Sequence, residues 1–273
     1  MDTPMTRIER LDVTAVLDPS PRYAGTIHED AAARAAGYRA ALIPGAFVYG
    51  HATRLALQVW GEDWLSRGTA TVRFRRPVYH GDALTVSCGP VERGDGGWQG
   101  QLTVTLSGSE EVLLDGSLGL SDRPPQPPDD LPVIPPFAPR MVVEPGGIAP
   151  GLQLGSPVTT MGEELVRQSL ADFHETAPIY TERGLIHSGC LLRRTMSDAM
   201  GNLTLPMPMI FAGAEIANVA PAAVGRDYAT SARVTEAWEA RGKYYFETEE
   251  WLIAGGVDVV ARHRRRNVYA LRR

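Results

Sequence analysis

Asp172 and His174 stand two residues apart in a stretch that reads as a loop, close enough to face one pocket. An imidazole with a pKa near ~6.5 works as acid or base at neutral pH, and a neighbouring carboxylate can orient it. The same two residues would serve equally well as a helix cap or a surface pair. Tyr180 and His187 follow in the same stretch. Tyr180 is a phenol that could donate to a bound carbonyl, or a half-buried core residue with its hydroxyl at the rim. His187 lies at the turn into a helix, where it could meet a ligand or hold the turn through a side-chain bond to backbone.

Two helix starts supply a different tool. Gly45-Ala46 and Ser188-Gly189-Cys190 each stand where an apolar, helix-periodic run begins. The first N–H groups of a helix lack intrahelical partners and sit at the positive end of its dipole. They can therefore bind an oxygen that gains charge, and glycine lets a ligand come close. The same glycines would relieve crowding where a helix enters a sheet. Cys190 has the position for a lowered pKa and the size for plain packing. The remaining histidines read as structural. His51 lies inside the first helix; His28 and Glu29 precede Asp30, expected to cap a helix over Ala31–Ala36; His80 belongs to a turn. The run Arg262-His263-Arg264-Arg265-Arg266 falls on a strand pattern, with Arg262, Arg264 and Arg266 on one face. That face could meet phosphates or guard a sheet edge against pairing.

These residues need elements to hold them, and the chain supplies them twice. Eleven of its 21 prolines fall between Pro124 and Pro157. Proline lacks an N–H and fixes φ, so this segment reads as an extended linker in which Val133-Ile134 and Met141-Val142-Val143 could still pack. It separates a unit at 1–122 from a unit at 158–273, with the linker at 123–157. Leu42-Ile43 precede a helix over Ala46–Trp60, and Leu185-Ile186 precede one over Cys190–Met200; the two pairs are 143 residues apart. Gly81 and Gly225, each before a strand pattern, are 144 apart. A constant offset across separated landmarks is the mark of duplication.

Four strand patterns follow each helix: Thr69–Phe74, Ala83–Glu92, Gly97–Ser107 and Val112–Leu120, then Met209–Ile216, Tyr228–Ala237, Lys243–Ala254 and Val257–Leu271. Gly94-Asp95-Gly96-Gly97, Arg241-Gly242 and Gly255-Gly256 are the hairpin turns. A helix and then antiparallel strands, twice over, makes an α+β chain of two sheets, each wrapped round a helix.

Asp30 to Tyr38, then Leu42-Ile43-Pro44-Gly45, then Val72 to Val78 and Gly81-Asp82, resemble the MaoC-like hydratases and dehydratases of the hotdog fold. The second half resembles them through Asp172-Phe173, Pro178-Ile179-Tyr180, Leu185 to Gly189, Ala261-Arg262-His263 and Val268-Tyr269. The resemblance implies a double hotdog and a hydratase or dehydratase acting on an enoyl or 3-hydroxyacyl thioester. The carrier would be coenzyme A or a carrier protein, with no cofactor and no metal. The same fold would suit a thioesterase, a specialised-pathway dehydratase or cyclase, or an inactive acyl-binding protein.

Active hydratases of that family carry Asp and His about five residues apart in a loop before the helix. Arg22–Ile27 holds neither in matching places. The second half keeps Asp172, with His174 early and Tyr180 beside Pro178-Ile179. The expected catalytic set is therefore Asp172, His174, His187 and Tyr180, with Ser188, Gly189, Cys190, Gly45 and Ala46 binding substrate.

The bulk properties narrow the classes. A net charge of -5 argues against a nucleic-acid partner. No run approaches the ~20 apolar residues of a membrane span. Met1–Val16 has no signal-peptide core, and Cys88 and Cys190 form no metal spacing, which fits a reduced cytoplasm. The assembly would be a monomer with an internal pseudo-dimer, or a homodimer.

Overall fold

From Ala46 to Ala56 the chain carries small or apolar side chains around nearly every face of a helix, and all but Arg54 are buried. A helix apolar all round belongs inside a molecule. The computed structural model describes residues 9–272; the first eight residues of Met1–Val16 lie outside it. The first unit contains β1 (Glu9–Thr14), α1 (Asp30–Ala35), α2 (Gly45–Trp60), α3 (Trp64–Arg67), β2 (Gly68–Phe74), β3 (Ala83–Gly94), β4 (Gly97–Leu106) and β5 (Val112–Ser121). Next come three two-residue strands, β6 (Met141–Val142), β7 (Gln153–Leu154) and β8 (Thr159–Thr160). The second unit has α4 (Glu163–Asp172), α5 (Pro178–Glu182), α6 (Ser188–Met200), β9 (Leu203–Thr204), β10 (Ile210–Asn218), β11 (Asp227–Ala240), β12 (Lys243–Ala254) and β13 (Asp258–Leu271).

The main strands form one antiparallel sheet in the order β1-β3-β4-β5-β2-β10-β13-β12-β11-β7, with β8 also on β11. The two units meet where β2 pairs with β10, from Arg73↔Gly213 to Thr69↔Ala217. The pseudo-symmetry keeps the expected offset. Isolated bridges join Leu42 to Tyr79 and Leu185 to Ala223, and Gly81 and Gly225 adopt φ of 87° and 83°, a left-handed turn conformation that favours glycine. Each of the eight long strands and both central helices lies where the sequence places it, to within a few residues at the ends.

Some details differ. The linker is clipped to the second unit: β6 pairs in parallel with β9, β7 pairs with β11, and Val143 and Ile148 are buried beside Phe246 and Tyr269. Val133 and Val142 stay exposed. Asp172 ends helix α4 rather than lying in a loop. Asp30 is the first residue of α1, and no side chain caps that helix. Asp30 instead accepts the Ala41 N–H at 2.8 Å and Arg34 at 3.1 Å, tying the loop together. Strand β13 is interior, between β10 and β12, so its arginines guard no edge. Arg262, Arg264 and Arg266 pair outside with Glu249 and Glu247, and His263 and Arg265 point inward, fully buried.

The inner faces differ between the copies. Sheet residues Leu84, Val86, Leu102, Val104, Leu114 and Leu118 make an apolar bed for α2. In the second unit Thr248, Glu250, His263, Arg265 and Asn267 occupy the inner face under α6. One sheet and two touching helices bring residues of both copies into one large core cluster. Leu55→Ala in α2 and Leu192→Ala in α6, both fully buried, should each lower stability by about 2–5 kcal/mol. Both should act on a single unfolding transition in urea; two separated transitions would contradict this.

Candidate active site

The second copy's helix start is sealed. His187 Nδ1 accepts the Gly189 N–H at 3.0 Å, capping α6. Its Nε2 lies 2.8 Å from Thr53 Oγ1 and 3.7 Å from Glu175 Oε2. Thr53 already donates to the Gly50 carbonyl, so it accepts from His187, which assigns the proton to Nε2. Burial holds this imidazole neutral, with its pKa pushed down to about 3. Ser188 Oγ lies 2.8 Å from Tyr49 Oη and donates to Asn218 Oδ1 at 3.0 Å, and Asn218 donates to the Trp64 carbonyl. Cys190 accepts from Ser169, and burial raises its thiol pKa. Tyr180 stacks obliquely on His187 with its hydroxyl buried and unpaired.

The ring of Phe173 packs against the start of α6. A Cβ on Gly189 would come within 3.0 Å of it, and a Cβ on Gly50 within 2.7 Å. Gly189 therefore leaves room for the Phe173 ring. Asp172 and His174 do not converge. Asp172 accepts Arg22 at 2.9 Å and Arg193 at 2.6 Å, so its charge is already used to tie the first copy to the second. His174 is exposed, in the left-handed region at φ 51°, with its ring 6.0 Å from that of His51. His51 is buried, its Nδ1 3.1 Å from the Phe173 carbonyl.

The first copy is arranged the other way. A cavity of about 310 Å³ opens at the start of α2, walled by Ile43, Gly45 and Val48 of the first unit and Met196, Met209 and Val268 of the second. The Gly45 N–H has no partner among the described residues, and no side chain caps α2. Phe211 and Phe74 close on Gly45, where a Cβ would meet them at 2.6 and 2.8 Å. Ala46 is fully buried behind this wall. Arg75, Arg76 and Lys243 add positive charge to the lining; Arg75 pairs with Asp115, and no ion pair among the described residues includes Lys243.

His28 is on the wall of the same cavity. Its Nδ1 lies 2.8 Å from the Leu42 carbonyl. A carbonyl only accepts, so the proton is on Nδ1 and Nε2 keeps its lone pair. No described residue bonds that Nε2. Burial lowers the His28 pKa, so the ring is neutral at pH 7. His28 also lines a wider hollow with Tyr23, Asp30 and His80. His80 accepts the Leu17 N–H at 3.1 Å, and Tyr23 packs edge-on against His28. His28 lies one residue beyond Arg22–Ile27 and five after Tyr23. That spacing was the available signal; its place beside Glu29 and Asp30 made it read as structural. Among the described residues no three His, Cys, Asp or Glu gather to hold a metal, and no helix is long and apolar enough to cross a membrane.

Neither a family model nor a curated protein matches the sequence. Solved structures do, along its whole length. A MaoC domain protein from Chloroflexus aurantiacus J-10-fl superposes with TM-score 0.64 at 14% identity, covering 100% of this chain and 97% of that one. A MaoC-like dehydratase gives 0.63 at 13% identity over 97% and 98%. A Mycobacterium tuberculosis protein with a double hotdog fold gives 0.59 at 15% over 97% and 96%. An acyl-ACP thioesterase from Bacteroides thetaiotaomicron is also among the matches. The chain has the double hotdog fold.

His51, His187 and His263 are all buried and neutral, with pKa values pushed by burial to about 4, 3 and 4. Each folded value lies below the unfolded one of ~6.5, so the stability they carry is full above that pH and is lost as pH falls through it. Between pH 7 and pH 5 each should cost about 2 kcal/mol. Urea midpoints should drop steeply over that window; a flat profile would mean the imidazoles accept protons in the folded state.

Proposed function

We propose that the chain is a hydratase or dehydratase of an enoyl or 3-hydroxyacyl thioester, working at the first copy's helix start. The observation that carries this reading is that His28, whose Nε2 has no partner among the described residues, and Gly45, whose N–H has none among them either, line one cavity at the start of α2. Hydration needs a base for water, a proton for the α-carbon and a donor to the thioester oxygen. His28 Nε2 takes a proton from water as the water oxygen bonds to the β-carbon. The double-bond electrons move towards the thioester, whose oxygen leans on the Gly45 N–H. The imidazolium then returns its proton to the α-carbon, so water has added across the double bond; dehydration is the reverse. Arg75, Arg76 and Lys243 suit the phosphates of coenzyme A or a phosphopantetheine arm. The full-length likeness to MaoC-like dehydratases supports the same class.

This reading moves the catalytic role from Asp172, His174, Tyr180 and His187 to His28. Loss of the conjugated thioester absorbance, followed over a chain-length series of enoyl-CoAs, tests it. His28→Gln should cut kcat by roughly 10²–10⁴-fold. Asp172→Asn should leave kcat within a few fold and lower stability, because two arginines lose their partner. An active His28→Gln enzyme would overturn the assignment. Release of free thiol without hydration would make the chain a thioesterase.

A further inference from the structure

The inner face of the second sheet carries charge where the first carries only apolar groups. Arg265 and Glu250 are both fully buried and ion-paired. Arg265 Nη1 donates to Asn267 Oδ1 at 2.8 Å, and Thr248 donates to Glu250 at 2.8 Å. His263 Nδ1 lies 2.8 Å from Thr195 Oγ1, while its Nε2 is buried without a partner. A buried ion pair seldom adds stability over apolar residues of the same size. The equivalent strands of the first unit do without one.

Met209 joins this network to the cavity. It lines the cavity wall, and its sulfur takes the Arg265 Nη1 at 3.7 Å. A thioether is a weak acceptor for a guanidinium N–H, and methionine is flexible enough to give way. Val268, the residue after Asn267, lines the same wall. An acyl chain whose thioester lies at Gly45 would therefore run towards Met209 and, past it, Arg265.

Resting on the acyl-pocket reading above, we propose that the preferred acyl group is short and carries an uncharged oxygen near its far end. Arg265 would hold that oxygen in place of the Met209 sulfur. Charge balance decides between oxygen types. Arg265 and Glu250 already neutralise each other, so a hydroxyl or ketone adds no charge. A carboxylate would place a second anion beside buried Glu250, which is costly.

Calorimetric titration of the full chain with three saturated thioesters of one chain length tests this. 4-Oxopentanoyl-CoA should bind roughly tenfold tighter than pentanoyl-CoA, as expected for a hydrogen bond to a charged donor, and tighter than glutaryl-CoA. The double variant E250L/R265M, which replaces the pair with apolar groups of similar size, should lose the preference. Met209→Leu keeps the network and removes only the sulfur, so it should widen the preference, and it serves should the double variant not fold. Equal binding of pentanoyl- and 4-oxopentanoyl-CoA overturns the inference while leaving the acyl pocket standing. Tightest binding of glutaryl-CoA overturns the uncharged oxygen. If none of the three binds, the thioester reading fails and the inference with it.

Discussion

The antiparallel pairing of β2 with β10 is the constraint on which the rest of the molecule depends. It makes one sheet of two copies, so both central helices lie on the same side and must pack against each other. Each helix start then touches residues of the other copy. Thr53 of the first copy meets His187 of the second, and Met196 and Met209 of the second wall the cavity at Gly45 of the first. The ion pair from Arg22 to Asp172 crosses the same boundary. No site here could be assembled from one copy alone.

Within that frame, small differences in side chains decide how each helix start is capped. At α6 the cap is internal: His187 satisfies the Gly189 N–H, Phe173 fills the space in front, and Arg193 lies over the Phe173 ring. At α2 the residue before the helix is Pro44, whose ring offers no acceptor, and the Gly45 N–H has no partner among the described residues. The sequences preceding the two helices, Leu-Ile-Pro-Gly and Leu-Ile-His-Ser-Gly, differ by little. The histidine that looked like a catalytic candidate is the one that closes its own helix.

The fold was legible in the sequence because it rests on local patterns: apolar spacing for two helices, alternation for eight strands, glycine turns, and an offset that repeats. The hairpin turns and the inward-outward alternation of Arg262 to Arg266 could be read directly. The site was less legible, because it depends on what faces what. Asp172 and His174 are neighbours in sequence, yet one turns to Arg22 and Arg193 and the other to solvent. His28 looks like part of a helix start, and only the 2.8 Å contact with the Leu42 carbonyl shows which nitrogen is free. Nothing in the strand patterns announced that the second core would hold Glu250 and Arg265, since alternation tells which face a residue takes and not whether a charge there finds a partner.

Phe173 has a consequence for how such a protein can change over time. In an assembly of two identical subunits, any residue that blocks one pocket blocks its twin, and the enzyme is lost in one step. With both copies written into one gene, each can mutate separately. A phenylalanine can become packing at one helix start while a histidine keeps its lone pair at the other. The released copy can then be reshaped into a wall of its sibling's pocket.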